Sequence, residues 1–399
     1  MRKSLVVSID TINLFFLCLL SALIIFTPLY SYKKMIILLI VFTGWFVTAA
    51  RDKYWNRRTL PIIVIVLVLM ALDFVSALGN DDSLIFLNFI TQKLFVYIWI
   101  LIFSYYIDKK SIIEKAIPII LLLVVISGLF TIRGNLLFPG ASRLLASENI
   151  DNSIYRSLFI GGYDFIYGLV FVVLPLYVYI KNTLHRKLFY SLCLIVFLVS
   201  IVTGAYTIAI LLSVAMLIGA FINPEKKVAW ILLLLILSLI SLFSNQLLDL
   251  MIYIGNLIGS NILVTRAEMI RYRDFVEGSG ENRLVLYGNG LMNFANNFFF
   301  GRMFGNPQDL LHSGHSALIN YLESYGLFSL AYFIYLKKTF SVIYNGLNKF
   351  VTKQYYVIYF VILLMFMFLN TIDTSNGIGF FAFFFGPILL LCSERSTEN

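Results

Sequence analysis

His315-Ser316, followed after nine residues by Gly326, carries the spacing in this chain best suited to chemistry. Upstream, Ser279-Gly280-Glu281-Asn282-Arg283 leads into an aromatic-rich, weakly helical segment that runs to Gly301, Gly305, Asn306 and Pro307. An imidazole titrates near neutrality and accepts a proton from a hydroxyl or hands one on. A guanidinium keeps its charge and binds phosphate through a planar fork. After His315 the chain becomes apolar but still carries Ser316, Asn320 and Glu323 at i, i+4 and i+7, one polar stripe on a helix. Glu323 is costly in a membrane unless it faces protein or water, so it is expected to turn inward and pair with an arginine or lysine. A fixed cation, a base and a polar-lined helix within some forty residues suit a phosphorylated substrate at a membrane surface. His315 could instead cap or orient the helix that follows. His312 lies in a Leu-His-Ser-Gly stretch and ranks below it, and His185 falls in a basic loop.

The elements that must position these groups are membrane helices. The chain has 399 residues, 60% of them hydrophobic and 13% charged, with a mean hydropathy of +0.90. That composition excludes a soluble domain of this size. Apolar runs near the ~20 residues that cross ~30 Å of hydrocarbon predict about twelve spans, at 9–31, 35–50, 59–79, 84–107, 116–132, 157–180, 188–203, 205–222, 228–244, 316–336, 355–371 and 377–392. The weakest division is Thr203-Gly204-Ala205. The expected fold is an all-α polytopic membrane protein, 1–399 forming a single integral membrane domain with one large outer loop at about 245–315. The first span is too long for a removable signal peptide and lacks a cleavage site.

Charge sets the orientation. With both termini in the cytoplasm, 19 of the 30 basic residues fall inside, as the positive-inside rule requires. Inside, lysines outnumber arginines 13 to 6; outside, arginines outnumber lysines 8 to 2. The outer arginines are Arg133, Arg143, Arg156, Arg266, Arg271, Arg273, Arg283 and Arg302. Any cation serves for anchoring, whereas an outward excess of arginine points to the fork, and at least two of these are expected to meet a pyrophosphate. Individually they could equally pair with the neighbouring Glu148, Asp151, Glu268, Asp274, Glu277, Glu281 and Asp309.

Further candidates follow from placement. Asp73, Lys93 and Asp164 fall at similar depth towards the outer side and suggest a wet cavity or a structural ion-pair network. The segment Arg133 … Arg143 … Arg156 leads to Gly161-Gly162-Tyr163-Asp164 and Tyr167-Gly168. Tyrosines stack on sugar faces and glycines admit close backbone approach. Residues 247–275 read as helices lying at the membrane interface. Cys18, Cys193 and Cys392 form neither a disulfide framework nor a metal spacing. No phosphate-binding loop, dinucleotide fingerprint, HExxH or paired CxxC is present, and no nucleic-acid-binding surface is expected.

His315-Ser316-x9-Gly326, the Arg283 of an outer loop and about twelve spans together resemble the O-antigen polymerase and O-antigen ligase superfamily of bacterial membrane glycosyltransferases. Ala141-Ser142-Arg143-Leu144 with Gly161-Gly162-Tyr163-Asp164-Phe165-Ile166-Tyr167 looks like the repeat-unit polymerases of capsule and exopolysaccharide clusters. The specific motifs cover only about 141–168 and 279–326. Gly326-Leu327-Phe328-Ser329 follows the longer ligase signature only loosely, and no Arg-x10-Gly pair is present. The resemblance implies a C-type glycosyltransferase-like bundle in the bacterial plasma (inner) membrane. It implies transfer of an oligosaccharide from an undecaprenyl-pyrophosphate-linked donor to a lipid-linked acceptor, with no cofactor and no metal. His315 and Arg283 would be catalytic. Arg143, Arg156, Arg266, Tyr163, Asp164, Asn320 and Glu323 would bind substrate or pyrophosphate. Candidate partners besides membrane lipid are a chain-length regulator and a flippase. The alternatives are an O-antigen ligase, or a polytopic transporter or flippase of lipid-linked sugars. Unequal loops and the absence of a repeat between halves weigh against transport.

Overall fold

A computed structural model describes residues 8–29, 34–51, 60–79, 105–106, 109–145, 157–182, 186–204, 206–222, 244–272, 283–302, 316–369 and 376–392. Every regular element among the described residues is helical. In chain order they are α1 (Ile9–Ile25), α2 (Lys34–Arg51), α3 (Leu60–Gly79), α4 (Lys110–Leu137), α5 (Ala141–Leu144), α6 (Tyr163–Asn182), α7 (Lys187–Thr203), α8 (Thr207–Phe221), α9 (Ser244–Leu257), α10 (Asn261–Tyr272), α11 (Arg283–Asn296), α12 (Ala317–Tyr325), α13 (Leu330–Gly346), α14 (Phe350–Leu369) and α15 (Asn376–Cys392). In an apolar solvent a backbone must satisfy its own hydrogen bonds, and the helix does so within one segment. This is a helical membrane protein.

The expected count of about twelve spans is not reached among the described residues. Among the described residues four stretches are long and apolar enough to cross by length and composition: Ser111–Leu137, Tyr163–Lys181, Ala317–Gly346, which is interrupted at Gly326, and Phe350–Leu369. The apolar helices Ile9–Ile25, Lys187–Thr203, Ile208–Phe221 and Ile378–Pro387 are shorter. Seventeen residues rise only ~25 Å at 1.5 Å each, short of the ~30 Å hydrocarbon core. Hydropathy marks where a run is apolar; the hydrogen-bonded length decides whether it reaches across. The expected spans at 84–107 and 228–244 fall largely outside the described residues.

The centre of the bundle is α6. It is apolar on every face, as a helix surrounded by protein should be, and every residue from Phe165 to Leu174 is buried. It packs against α15, α8, α7 and α14, with Phe165 edge-on to Phe381 and Phe171 edge-on to Phe366. On one flank, α1 packs on α4 and α2. Buried Asn13 ties that flank together: it donates to the Tyr105 hydroxyl (3.0 Å) and accepts from Thr48 (2.8 Å). A fully paired polar group of this kind avoids the cost of burial without a partner.

The helix ends sort into two groups. At one end, Lys109 pairs with Asp10 (3.8 Å), Tyr179 meets Tyr190, Tyr177 meets Phe221 and the Tyr355 hydroxyl donates to the Ile222 carbonyl. Lys181, Lys187, Lys349 and Lys353 belong to this lysine-bearing end. At the other end, the Thr27 N–H after α1 donates to the Ser127 hydroxyl of α4 (3.2 Å), α7 turns into α8, and α4 runs into α5.

Candidate functional site

The nine residues between Ser316 and Gly326 are α12. The Ser316 hydroxyl accepts from the Ile319 N–H (3.3 Å) and caps the start of the helix, the usual task of serine there. Gly326 closes it at φ 54° and ψ −131°, a backbone shape that only glycine adopts cheaply. Two members of the motif therefore act as the stops of one short helix. The chain then folds sharply. Tyr321 and Tyr332 stack face to face at 3.7 Å, whereas eleven residues of straight helix would hold them ~16 Å apart. The single span expected at 316–336 is thus two helices, α12 and α13, broken at Gly326.

The break is held by α11 and the turn after it. Gly301 also has positive φ (58°), and a Cβ on it would come within 2.5 Å of the Gly326 nitrogen. Leu327 N–H donates to the Phe298 carbonyl (2.8 Å), and Arg302 N–H donates to the Glu323 and Ser324 carbonyls (3.0 and 3.1 Å). Side chains repeat the link. The Glu323 carboxylate, 2% exposed, lies 3.5 Å from Arg302 Nε and accepts from Asn293 Nδ2 at 2.7 Å. Glu323 does turn inward and pair with an arginine, as its sequence position requires. Neither Arg302 nor Asn293 was a candidate, although Arg302 belonged to the outer arginine excess. Asn320 is half-buried one turn earlier, its N–H bonded to the Ser316 carbonyl (2.9 Å).

A second cluster forms where α4 runs into α5. Buried Asn135 donates to the Thr131 carbonyl (2.9 Å) and the Ser142 hydroxyl (2.7 Å), and accepts from the Ser142 N–H (3.1 Å). This fixes α5, on which Arg143 is half-buried. Thr131 Oγ1 accepts from the Gly161 N–H (2.8 Å), which sets the start of α6 beside it. Tyr206, at the start of α8, donates to the Ser142 carbonyl (2.9 Å). Its ring meets Tyr163 (6.1 Å) and Tyr167 (5.2 Å), and its hydroxyl feels the charges of both Arg143 and Asp164. The fold thus gathers Arg143, Tyr163 and Asp164, and adds Tyr167 and Tyr206. Tyr206 was missed because its partner Ser142 is 64 residues away.

Both clusters lie at the end opposite the lysines. Tyr167 meets Phe366 (5.2 Å), and Phe368, two residues on, meets Tyr287 of α11 (5.4 Å). A Cβ on Gly259, in the turn between α9 and α10, would touch Pro139 beside α5. Arg283 is the first residue of α11 and Arg266 falls in α10; their side chains are not among those described, nor is that of Asp73. His315, Arg156 and Lys93 lie outside the described residues. Residues 244–272 and 283–302 prove largely helical, in α9, α10 and α11. Among the described residues no three His, Cys, Asp or Glu side chains group as a metal site would need.

No family model and no curated protein matches the chain.

Proposed function

We propose that this chain is a repeat-unit polymerase: it joins undecaprenyl-pyrophosphate-linked oligosaccharides into O-antigen, capsule or exopolysaccharide. It would work on the outer face of a bacterial plasma membrane, with both termini cytoplasmic. The observation that carries the reading is the sorting of cations. The lysines mark one end of the bundle, while Arg143, Arg302 and the turn between α9 and α10 gather at the other with Tyr163, Asp164 and Tyr206. Lysines at the cytoplasmic end follow the positive-inside rule; arginines at the outer end then need another reason, and a pyrophosphate is one.

In this reading His315 takes the proton of the acceptor sugar hydroxyl. The freed oxygen attacks the anomeric carbon of the donor while its bond to the pyrophosphate breaks. Arg283, with one or more of Arg143, Arg156 and Arg266, meets the negative charge that develops on the leaving pyrophosphate. Tyrosines of the Arg143 cluster offer ring faces to the sugars. No covalent intermediate is required.

The test is elongation by purified protein in detergent, given only the lipid-linked repeat unit. Longer lipid-linked chains, formed without added divalent metal, ATP or nucleotide sugar, are expected. A detergent solution has no compartments, so a transporter could not make them. A ligase would move the glycan to a different acceptor and leave the lipid-linked ladder unchanged. Inactive wild-type protein with its correct substrate would overturn the proposal.

A further inference from the structure

From Leu284 to Gly301 the chain carries no charged side chain. Its exposed polar side chains are the neutral asparagines Asn289, Asn296 and Asn297. Asn293 turns in to Glu323 (2.7 Å), and Arg302 does the same at only 19% exposure. Asn297 bonds back to the Asn293 carbonyl. The large apolar side chains instead face outward: Met292 is 64% exposed, Phe299 65% and Phe300 52%, with Leu291 and Phe298 also exposed. Phe300 stacks on Phe328 at 5.8 Å, so the surface continues across the Gly301–Gly326 contact to Leu327, Phe328 and Leu330, all exposed.

Eight exposed large apolar side chains on one segment and the turn it contacts are the mark of a surface that meets a partner or lipid rather than water. It also runs directly into α13, where Ile334, one turn beyond Leu330, is exposed within the apolar stretch Ala317–Gly346. That continuity names the occupant, because the outward face of α13 borders lipid. We propose that Leu291–Phe300, with Leu327, Phe328 and Leu330, is seated among the acyl chains of the bilayer. The segment after Arg283 then dips back into the membrane instead of standing in the outer aqueous loop. The arrangement accounts for the inward charges: a hairpin bordered by lipid must settle its carboxylate and guanidinium on its protein side. It also accounts for the backbone links at the tip, since irregular backbone at membrane depth has to be satisfied by protein. The inference stands on membrane location alone and does not depend on the polymerase reading.

Spin-label accessibility in phosphatidylcholine–phosphatidylglycerol liposomes tests it. Labels go on Phe299→Cys and Met292→Cys, in a full chain whose three native cysteines are replaced by alanine. Leu211→Cys on α8, 61% exposed, is the lipid-facing reference and Asn261→Cys the aqueous one. Both test sites are expected to match Leu211→Cys, with a ratio of oxygen to nickel-chelate collision rates several-fold above that at Asn261→Cys. A high nickel-chelate rate would place the segment in water, and low rates for both reagents would place it under other protein; either overturns the proposal. Two separate sites, each compared with the parent by size-exclusion profile, keep misfolding of one variant from deciding the outcome.

Discussion

Gly301 and Gly326 meet backbone to backbone: both have positive φ, 58° and 54°, and a Cβ on either would come within 2.5 Å of the other's nitrogen. Through this contact the turn after α11 is fastened to the end of α12. The glycine that the sequence pattern associates with His315 is thus a structural hinge point, eleven residues from the imidazole.

Alanine at either glycine is expected to destabilise the protein. The backbone strain alone costs about 1–3 kcal/mol, and the clash with the opposite backbone adds to it. Gly288 provides the contrast: it lies within α11 with open space around its Cα, so Gly288→Ala should stabilise by roughly 0.5–1 kcal/mol. Thermal unfolding in detergent reads all three, and a Gly326→Ala protein as stable as the parent would mean the two backbone segments do not touch.

Glu323→Ala should leave Arg302 without its carboxylate, and Arg302→Ala should leave Glu323 buried without its guanidinium. Losing one partner of a buried pair costs about 3–5 kcal/mol. The double change Glu323→Leu with Arg302→Met removes both charges together and is expected to recover most of that loss. If the double variant were as unstable as the sum of the two singles, the pair would not be acting as a unit.

Asn135→Ala removes three hydrogen bonds, two with Ser142 and one to the Thr131 carbonyl. The unsatisfied Ser142 N–H costs about 1–3 kcal/mol, and α5 loses its anchor. Because Arg143 rides on α5, the expected result is weaker use of the lipid-linked donor, seen as a raised KM at a temperature where the protein is still folded. Unchanged KM would show that Arg143 does not contact substrate.

In the polymerase reading Arg283→Ala abolishes elongation and Arg283→Lys retains little, because lysine offers a point charge where a pyrophosphate needs a fork. His315→Ala should slow elongation by ~10²–10⁴, the usual contribution of a general base, at an unchanged protein level. A near-fully active lysine variant would reduce Arg283 to a positional charge.

The orientation is checked in intact cells. Cysteines at the exposed Asn256 and Asn261 should react with an impermeant thiol reagent without lysis. Labelling only after lysis would turn the bundle over and put the Arg143 cluster on the cytoplasmic side.

Most helix positions were legible in the chain because placing an apolar run in protein or in lipid is a local matter of composition. The runs at 188–203, 205–222 and 377–392 return as Lys187–Thr203, Thr207–Phe221 and Asn376–Cys392, and the weak division at Thr203-Gly204-Ala205 is a true helix boundary. Charge was legible for the same reason: an isolated carboxylate such as Glu323 carries its demand for a partner wherever the chain goes. The partner itself was not legible. Arg302 lies 21 residues before Glu323, Gly301 lies 25 before Gly326 and Ser142 lies 64 before Tyr206. Nothing in composition distinguishes those pairings from many others of similar charge and size. Nor did hydropathy reveal the fold at Gly326, since an apolar run reads the same whether it is one helix or two. The sequence by itself determined that this is a helical membrane protein. Only the packed structure decided that α12 is a short helix stopped at both ends and latched to α11, because a glycine's positive φ and a carboxylate's partner are set by whatever backbone lies opposite.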